Sequence, residues 1–193
     1  MNIFDLALVI QLFILINPLS SFPVLLAAYK NKINVRKVAV SAVIIAFLVA
    51  IIIALIGPYL FKLFGINIDS FRIAGGIVLL LLGLDNIRGK KDDRSDIKKT
   101  DALISIVATP LLTGPAVISF ITIKAYEIGR VSIVSNIFLS FILVAIVFTI
   151  FSFSISKING KVIDVSSRIL GLFLTAVAIQ MMAKGIQGLI AVG

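Results

Sequence analysis

The sequence predicts an all-α integral membrane protein, built from six transmembrane helices as two inverted three-helix repeats. The first and fourth helices are expected to be discontinuous. Three observations lead there. The 193 residues are 60% hydrophobic and 14% charged, with a mean hydropathy of +1.18; soluble domains are about half apolar and a quarter charged. The charged residues cluster, leaving long apolar runs between them. Finally, the proline-broken stretch Asn17-Pro18-Leu19-Ser20-Ser21-Phe22-Pro23 has a counterpart in Thr109-Pro110-Leu111-Leu112-Thr113-Gly114-Pro115.

The apolar runs set the spans. Uncharged residues fill 6–29, 38–61, 102–123 and 131–156, each long enough for a crossing that needs about 20 apolar residues. Two shorter runs, 73–84 and 169–183, reach that length only if their flanking charges sit in the interface or pair inside. The first span begins with Asp5 and lacks a basic leader, so it is not expected to be a cleaved signal peptide. With an external N-terminus, 13 Lys and Arg fall on the inner side and 5 on the outer side. That bias predicts a multi-pass cell-membrane protein with both termini extracytoplasmic. The net charge of +9 belongs to this retention signal, and no nucleic-acid partner is expected.

The second span carries Ala42, Ala46, Ala50 and Ala54, a stripe on one helix face that admits a close neighbour. Gly57-Pro58 is expected to mark its exit. The chain divides into a first repeat over 1–88, a charged cytoplasmic linker over 89–101 and an inverted second repeat over 102–193. Ten of the 14 residues from Arg88 to Asp101 are charged, as in a solvated connection.

The two halves align. Pro18 with Pro110 and Pro23 with Pro115 are both 92 apart, and Arg72-Ile73-Ala74-Gly75 matches Arg168-Ile169-Leu170-Gly171 at 96. Three spans per repeat force the second half to insert upside down. Paired Gly/Pro-interrupted segments in such halves point to the binding site of secondary transporters.

Each proline removes a backbone donor and clashes with the carbonyl four residues back. Within a membrane that break survives only in protein or beside a wet cavity. Pro23 and Pro115 suit the first turn of a new half-helix, with Ser20 and Ser21, or Thr113 and Gly114, as caps. Free N–H groups at those starts attract a carboxylate. Carbonyls exposed near Asn17 and Thr109 attract an ammonium group or a cation. The candidate substrate site is therefore Asn17, Pro18, Ser20, Ser21, Pro23, Thr109, Pro110, Thr113, Gly114 and Pro115. Gly75 and Gly76 on the third span are added for close approach, with packing alone as the competing reading. Arg72, Asp85 and Arg168 are candidates for gating or anchoring, and for the two arginines anchoring is favoured over substrate contact.

Cysteine and histidine are both absent. That excludes thiol or imidazole nucleophiles and a histidine proton relay. No catalytic residue, metal or cofactor is expected. No carboxylate lies in the middle of a run, so a coupling ion, proton or sodium, is left open. The expected partners are a small zwitterion and the lipid bilayer, with a homo-oligomer also compatible.

These motifs, with Phe71-Arg72-Ile73-Ala74-Gly75-Gly76 leading to Leu84-Asp85, resemble the MarC family of integral membrane proteins over essentially the whole chain. The resemblance implies a relation to SnatA-like transporters of small neutral amino acids such as glycine and alanine, and to the broader LysE-like exporters. It would carry the site to the segments Asn17 to Pro23 and Thr109 to Pro115. Ser20-Ser21 departs from the Gly-Asn-like pair expected there, which puts the shape of the site in question. A passive channel, or an exporter of another small solute or ion, is the alternative. A lipid- or peptide-cleaving enzyme lacks a base, and a drug pump lacks an aromatic cavity, since the chain has no Trp.

Overall fold

The computed structural model describes residues 4–88, 112–155 and 160–192. Every regular element among them is helical: α1 (Leu6–Ile16), a 3-10 turn (Pro18–Ser21), α2 (Phe22–Lys30), α3 (Val35–Phe64), α4 (Ile68–Arg88), α5 (Pro115–Ile128), α6 (Arg130–Ser154) and α7 (Gly160–Val192). The proposed linker, residues 102–111 and therefore Thr109 and Pro110 lie outside the described residues.

Among the described residues, four segments are long and apolar enough to cross a membrane: Leu6–Lys30, Val35–Phe61, Arg130–Ser154 and Gly160–Ala191. Their outward faces carry Ile44, Leu48, Ile52, Phe138, Ile146, Ile150 and Ile179, all exposed. Such continuous apolar surface suits lipid rather than water. The two short apolar runs do not give short helices. The helix α4 runs 21 residues through Arg72 and Asp85, and α7 runs 33 residues through Arg168 and Lys184. A charge at a helix end leaves the backbone hydrogen-bond ladder intact, so helix length and apolar length part company here.

Local chemistry sets the boundaries. The Asp5 carboxylate accepts the N–H groups of Ala7 and Leu8 at the start of α1. The Asn34 side chain accepts from Lys37 N–H at 3.0 Å and opens α3, and the Asn67 side chain accepts from Asp69 N–H at 2.7 Å and opens α4. These are N-caps that satisfy otherwise orphaned donors. Contrary to the sequence expectation, Gly57-Pro58 does not end the second span. The helix continues past Pro58 to Phe64 and stops at Gly65, whose φ of 62° is left-handed. Glycine at that position ends helices without a Cβ penalty, whereas a proline inside a membrane helix is accommodated by its neighbours.

The register of three contacts sets the direction of the first span. Asp5 N–H donates to Asn136 Oδ1 at 3.0 Å, and Ser140 Oγ donates to the Val9 carbonyl at 3.0 Å. Beyond the break, the Phe22 and Phe151 rings meet edge-on at 5.2 Å. All three advance together along both chains, so α1 and α2 run parallel to α6 and the break does not reverse the chain. The helix α3 crosses α6 in the opposite sense: Arg36 lies over Phe153, Phe47 meets Phe141, and Arg130 donates to Tyr59 Oη. The alanine stripe of α3 is wholly buried, as its spacing predicts.

The most extensive pairing joins α4 to α7. It is antiparallel and lined by small residues. A β-carbon at Gly83 would lie 3.0 Å from the Gly171 carbonyl oxygen, and one at Gly171 would lie 2.9 Å from that of Gly83. Further along, a β-carbon at Gly76 would meet the Ala178 carbonyl at 2.9 Å, and one at Gly185 the Asp69 carbonyl at 2.6 Å. Small residues let two membrane helices bring their backbones together, and dispersion then holds them.

Candidate functional site

The first break is built around Asn17. Ending α1, it takes a left-handed conformation, φ 44° and ψ 67°, with its N–H on the Phe13 carbonyl. Non-glycine residues seldom adopt this geometry, and asparagine is among the most tolerant. Pro18 cannot donate, so the helix does not resume directly. The chain instead forms a 3-10 turn that leads into α2 with Pro23 in its first turn.

Two expectations are corrected at this break. The Asn17 carbonyl is not left exposed: it accepts Ser20 N–H at 3.1 Å and Ser20 Oγ at 2.8 Å. Nor does Ser21 cap α2, because it sits in right-handed helical geometry and its side chain makes no capping bond. A residue whose own backbone is already helical cannot fold its hydroxyl back onto the following amides as an N-cap does. What the break does offer is side-chain chemistry. Asn17 is 2% exposed and Ser21 fully buried. The Asn17 carboxamide, both atoms, and the Ser21 hydroxyl find no hydrogen-bond partner among the described residues.

The second break matches in outline. Gly114 is extended (φ −70°, ψ 175°), and Pro115 is the first residue of α5. The capping position of α5 falls to Gly114, which has no side chain to cap with. Under the 92-residue offset Ser21 is equivalent to Thr113, and both are buried; Pro23 is equivalent to Pro115, and both are exposed. Leu15, Ile16 and Phe22 of the first break share one apolar core with Leu112, Ala116 and Val117 of the second.

The glycine pair divides. Gly76 faces α7, where a β-carbon would be 2.5 Å from Met182 Cγ; Gly75 faces α5, where one would be 2.7 Å from Ser119 Cβ and 3.1 Å from Met181 Cε. Both positions are occupied by helix packing. The arginines separate too. Arg168 is exposed on α7, as is Asp85 on α4. Arg72 is largely enclosed and doubly paired, donating to Asp69 Oδ1 and Glu127 Oε1 at 2.5 Å each. Lys124 adds a bond to Glu127 Oε2 at 2.8 Å.

This network borders a cavity of about 90 Å³ lined by Gln11, Arg72, Phe120, Ile123, Lys124, Glu127, Val177, Gln180, Met181 and Lys184. Sequence reasoning passed over Glu127, Lys124, Gln11 and Gln180. The i, i+3 spacing of Lys124 and Glu127 was the one local signal, and nothing local ties either to Arg72. Ser119 and Thr122, also passed over, are buried on α5 and receive the close approach of Gly75 and Gly57 respectively. A second cavity, about 210 Å³ between α3 and α6, is walled by Val40, Val43, Ile44, Phe148 and Phe153, with Arg36 at its edge. Its walls are mostly apolar, with Arg36, Thr149 and Ser152 as the polar side chains among the lining.

Apolar spans, a non-reversing break in the first of them and buried polar groups at that break define a multi-pass helical membrane protein with an interior polar site. The chain matches the family model described as MarC family integral membrane protein over residues 2–190, and it belongs to that family. Among curated proteins it is 32% identical to a UPF0056 membrane protein of Methanocaldococcus jannaschii, covering 92% of this chain and 93% of the relative. It is 30% identical to the UPF0056 membrane protein YhcE of Escherichia coli, covering 93% and 90%. With YvbG of Bacillus subtilis it shares 28% identity over 95% and 94%. These names place the relatives in a membrane and state no substrate. No solved structure matches the chain.

Proposed function

We propose that the protein is a secondary transporter of small neutral amino acids of the glycine or alanine kind, working by alternating access, with substrate held at the two helix breaks. The observation that carries this reading is the buried Asn17 carboxamide and Ser21 hydroxyl, without partners among the described residues. Leaving such a group unsatisfied costs about 1–3 kcal/mol. A site held in that state fits a polar ligand that supplies the missing bonds. An amide offers both a donor and an acceptor, which suits a solute carrying a carboxylate and an ammonium group.

The two-repeat arrangement is part of the same proposal. Repeat-related spans pair with each other, α3 with α6 and α4 with α7. The parallel run of the first span and α6 requires an odd number of crossings between them. The helices α3 and α4, with the span that α5 completes, would supply three. Inverted repeats of this kind support rocking of one half against the other around a central site. Both termini would lie on the extracytoplasmic face, a proton or sodium ion would serve as coupling ion, and no catalytic step is assigned.

Counterflow in proteoliposomes tests the reading. Vesicles preloaded with unlabelled alanine should take up labelled alanine transiently and saturably. Flux that neither saturates nor responds to internal substrate would favour the alternative, a passive channel. Absence of flux for every small neutral amino acid, from folded protein, would sink the substrate assignment.

A further inference from the structure

The charged cavity beside Arg72 lies at the end of the bundle where α1 and α4 begin and α5 ends. It is separate from the breaks. Gln11 precedes Asn17 by six residues, about 9 Å along a helix, and Lys124 follows Gly114 by ten, about 15 Å. The two sets of groups therefore lie at different depths. Phe120, Ile123, Val177 and Met181 form the apolar part of the cavity lining. The Met181 methyl reaches to within 3.1 Å of where a Gly75 β-carbon would sit, next to Ser119. Met181 thus lines the cavity and lies beside buried Ser119 of α5, and a flexible thioether is a side chain that can swing aside.

The lining is matched to a zwitterion. Lys184 is exposed to the cavity and makes no ion pair among the described residues. The Arg72 Nε–H is buried and has no partner among them either. Those two donors suit a carboxylate, with Arg72 already held in place by Asp69 and Glu127. Each Glu127 oxygen, already accepting one bond from Arg72 or Lys124, keeps a second lone pair for an ammonium group, and Gln11 and Gln180 add neutral donors and acceptors. A volume of about 90 Å³ admits a small molecule and excludes a large side chain.

We infer that this cavity is a second binding site, an entry vestibule that captures a small zwitterion by its carboxylate at Arg72 and Lys184 and its ammonium at Glu127. Met181 lines its wall and packs on its other side against the Gly75 and Ser119 contact of α4 with α5. The inference rests on the transport reading for its substrate and goes beyond it in assigning two sites per chain.

Equilibrium dialysis of the purified protein with labelled alanine tests it. The wild type should bind two molecules per chain, and Lys184→Ala and Asn17→Gly should each bind one. Alanine methyl ester, lacking the carboxylate, and N-acetylalanine, lacking the amine, should compete at the vestibule about tenfold more weakly or worse. Glu127→Gln, checked for an unchanged elution profile, should reproduce the loss seen with Lys184→Ala. A wild-type stoichiometry of one, lost in Asn17→Gly and kept in Lys184→Ala, overturns the vestibule and leaves the break site standing. One molecule lost in Lys184→Ala and kept in Asn17→Gly supports the vestibule and overturns the break site. No binding overturns both.

Discussion

The Arg72 guanidinium donates to the Glu127 carboxylate at 2.5 Å, tying the start of α4 to the end of α5 across 55 residues of sequence. Asp69 holds the other side of the same guanidinium, and Lys124 the other oxygen of the same carboxylate. Four charges thus brace two helices at one end of the bundle.

That bracing should be measurable as coupling. Side-chain exposures of 19% for Arg72 and 22% for Glu127 put the pair partly out of water, where it is worth more than a surface ion pair. A double-mutant cycle with Arg72→Met and Glu127→Gln should return a coupling of about 0.5–3 kcal/mol. Arg72→Met alone should cost more than Glu127→Gln, because it strands the buried Asp69 carboxylate, whereas the glutamine keeps an acceptor oxygen for Arg72 and the more exposed Lys124. Arg168→Ala, at an exposed position, should shift stability by no more than about 0.5 kcal/mol. Thermal unfolding in one detergent gives all four values, and equal losses at Arg72 and Arg168 would contradict the assignment.

The glycines between α4 and α7 should not tolerate side chains. A methyl group at Gly83 or Gly76 meets carbonyl oxygens at 3.0 and 2.9 Å, and these belong to backbone that cannot rotate away. Gly83→Ala and Gly76→Ala should each cost about 1–3 kcal/mol through overpacking. Gly160→Ala is the control: nothing among the described residues lies within 4 Å of the added carbon, so its melting midpoint should be unchanged.

At Asn17, stability and function should separate. Glycine takes left-handed geometry without strain, and it removes a carboxamide that has no partner among the described residues. Asn17→Gly should melt at or above the wild-type temperature while losing counterflow. A fall of several degrees would mean that the carboxamide holds the fold together rather than a ligand.

Membrane orientation is open to direct labelling, because the chain has no cysteine to give background. Ser70→Cys and Asn31→Cys both place a thiol at an exposed position, at opposite ends of α3. An impermeant maleimide on intact cells should label the first, and label the second only after permeabilisation. The reverse pattern would invert the proposed topology.

Several features were readable in the chain because they arise within a few residues. Apolar runs give spans, Ala42 to Ala54 give a packing face, and two prolines five residues apart at Pro18 and Pro23 interrupt the first span. Where the fold departed from expectation, a tertiary neighbour or the local backbone geometry decided. Pro58 stays inside α3 beside the close approach of α5 to Gly57. Ser21 fails as a cap because the turn after Asn17 is already helical.

The sequence by itself determined that this protein lives in a bilayer and where its first helix breaks. Hydropathy is a property of short segments, and two prolines five residues apart leave too few residues between them for a regular helix. Tertiary structure alone decided that Gly83 lies against Gly171, that Arg72 reaches Glu127, and that a charged cavity opens beside them. Those depend on how helices far apart in the chain cross, and the free energy of each contact exists only once both helices are in place.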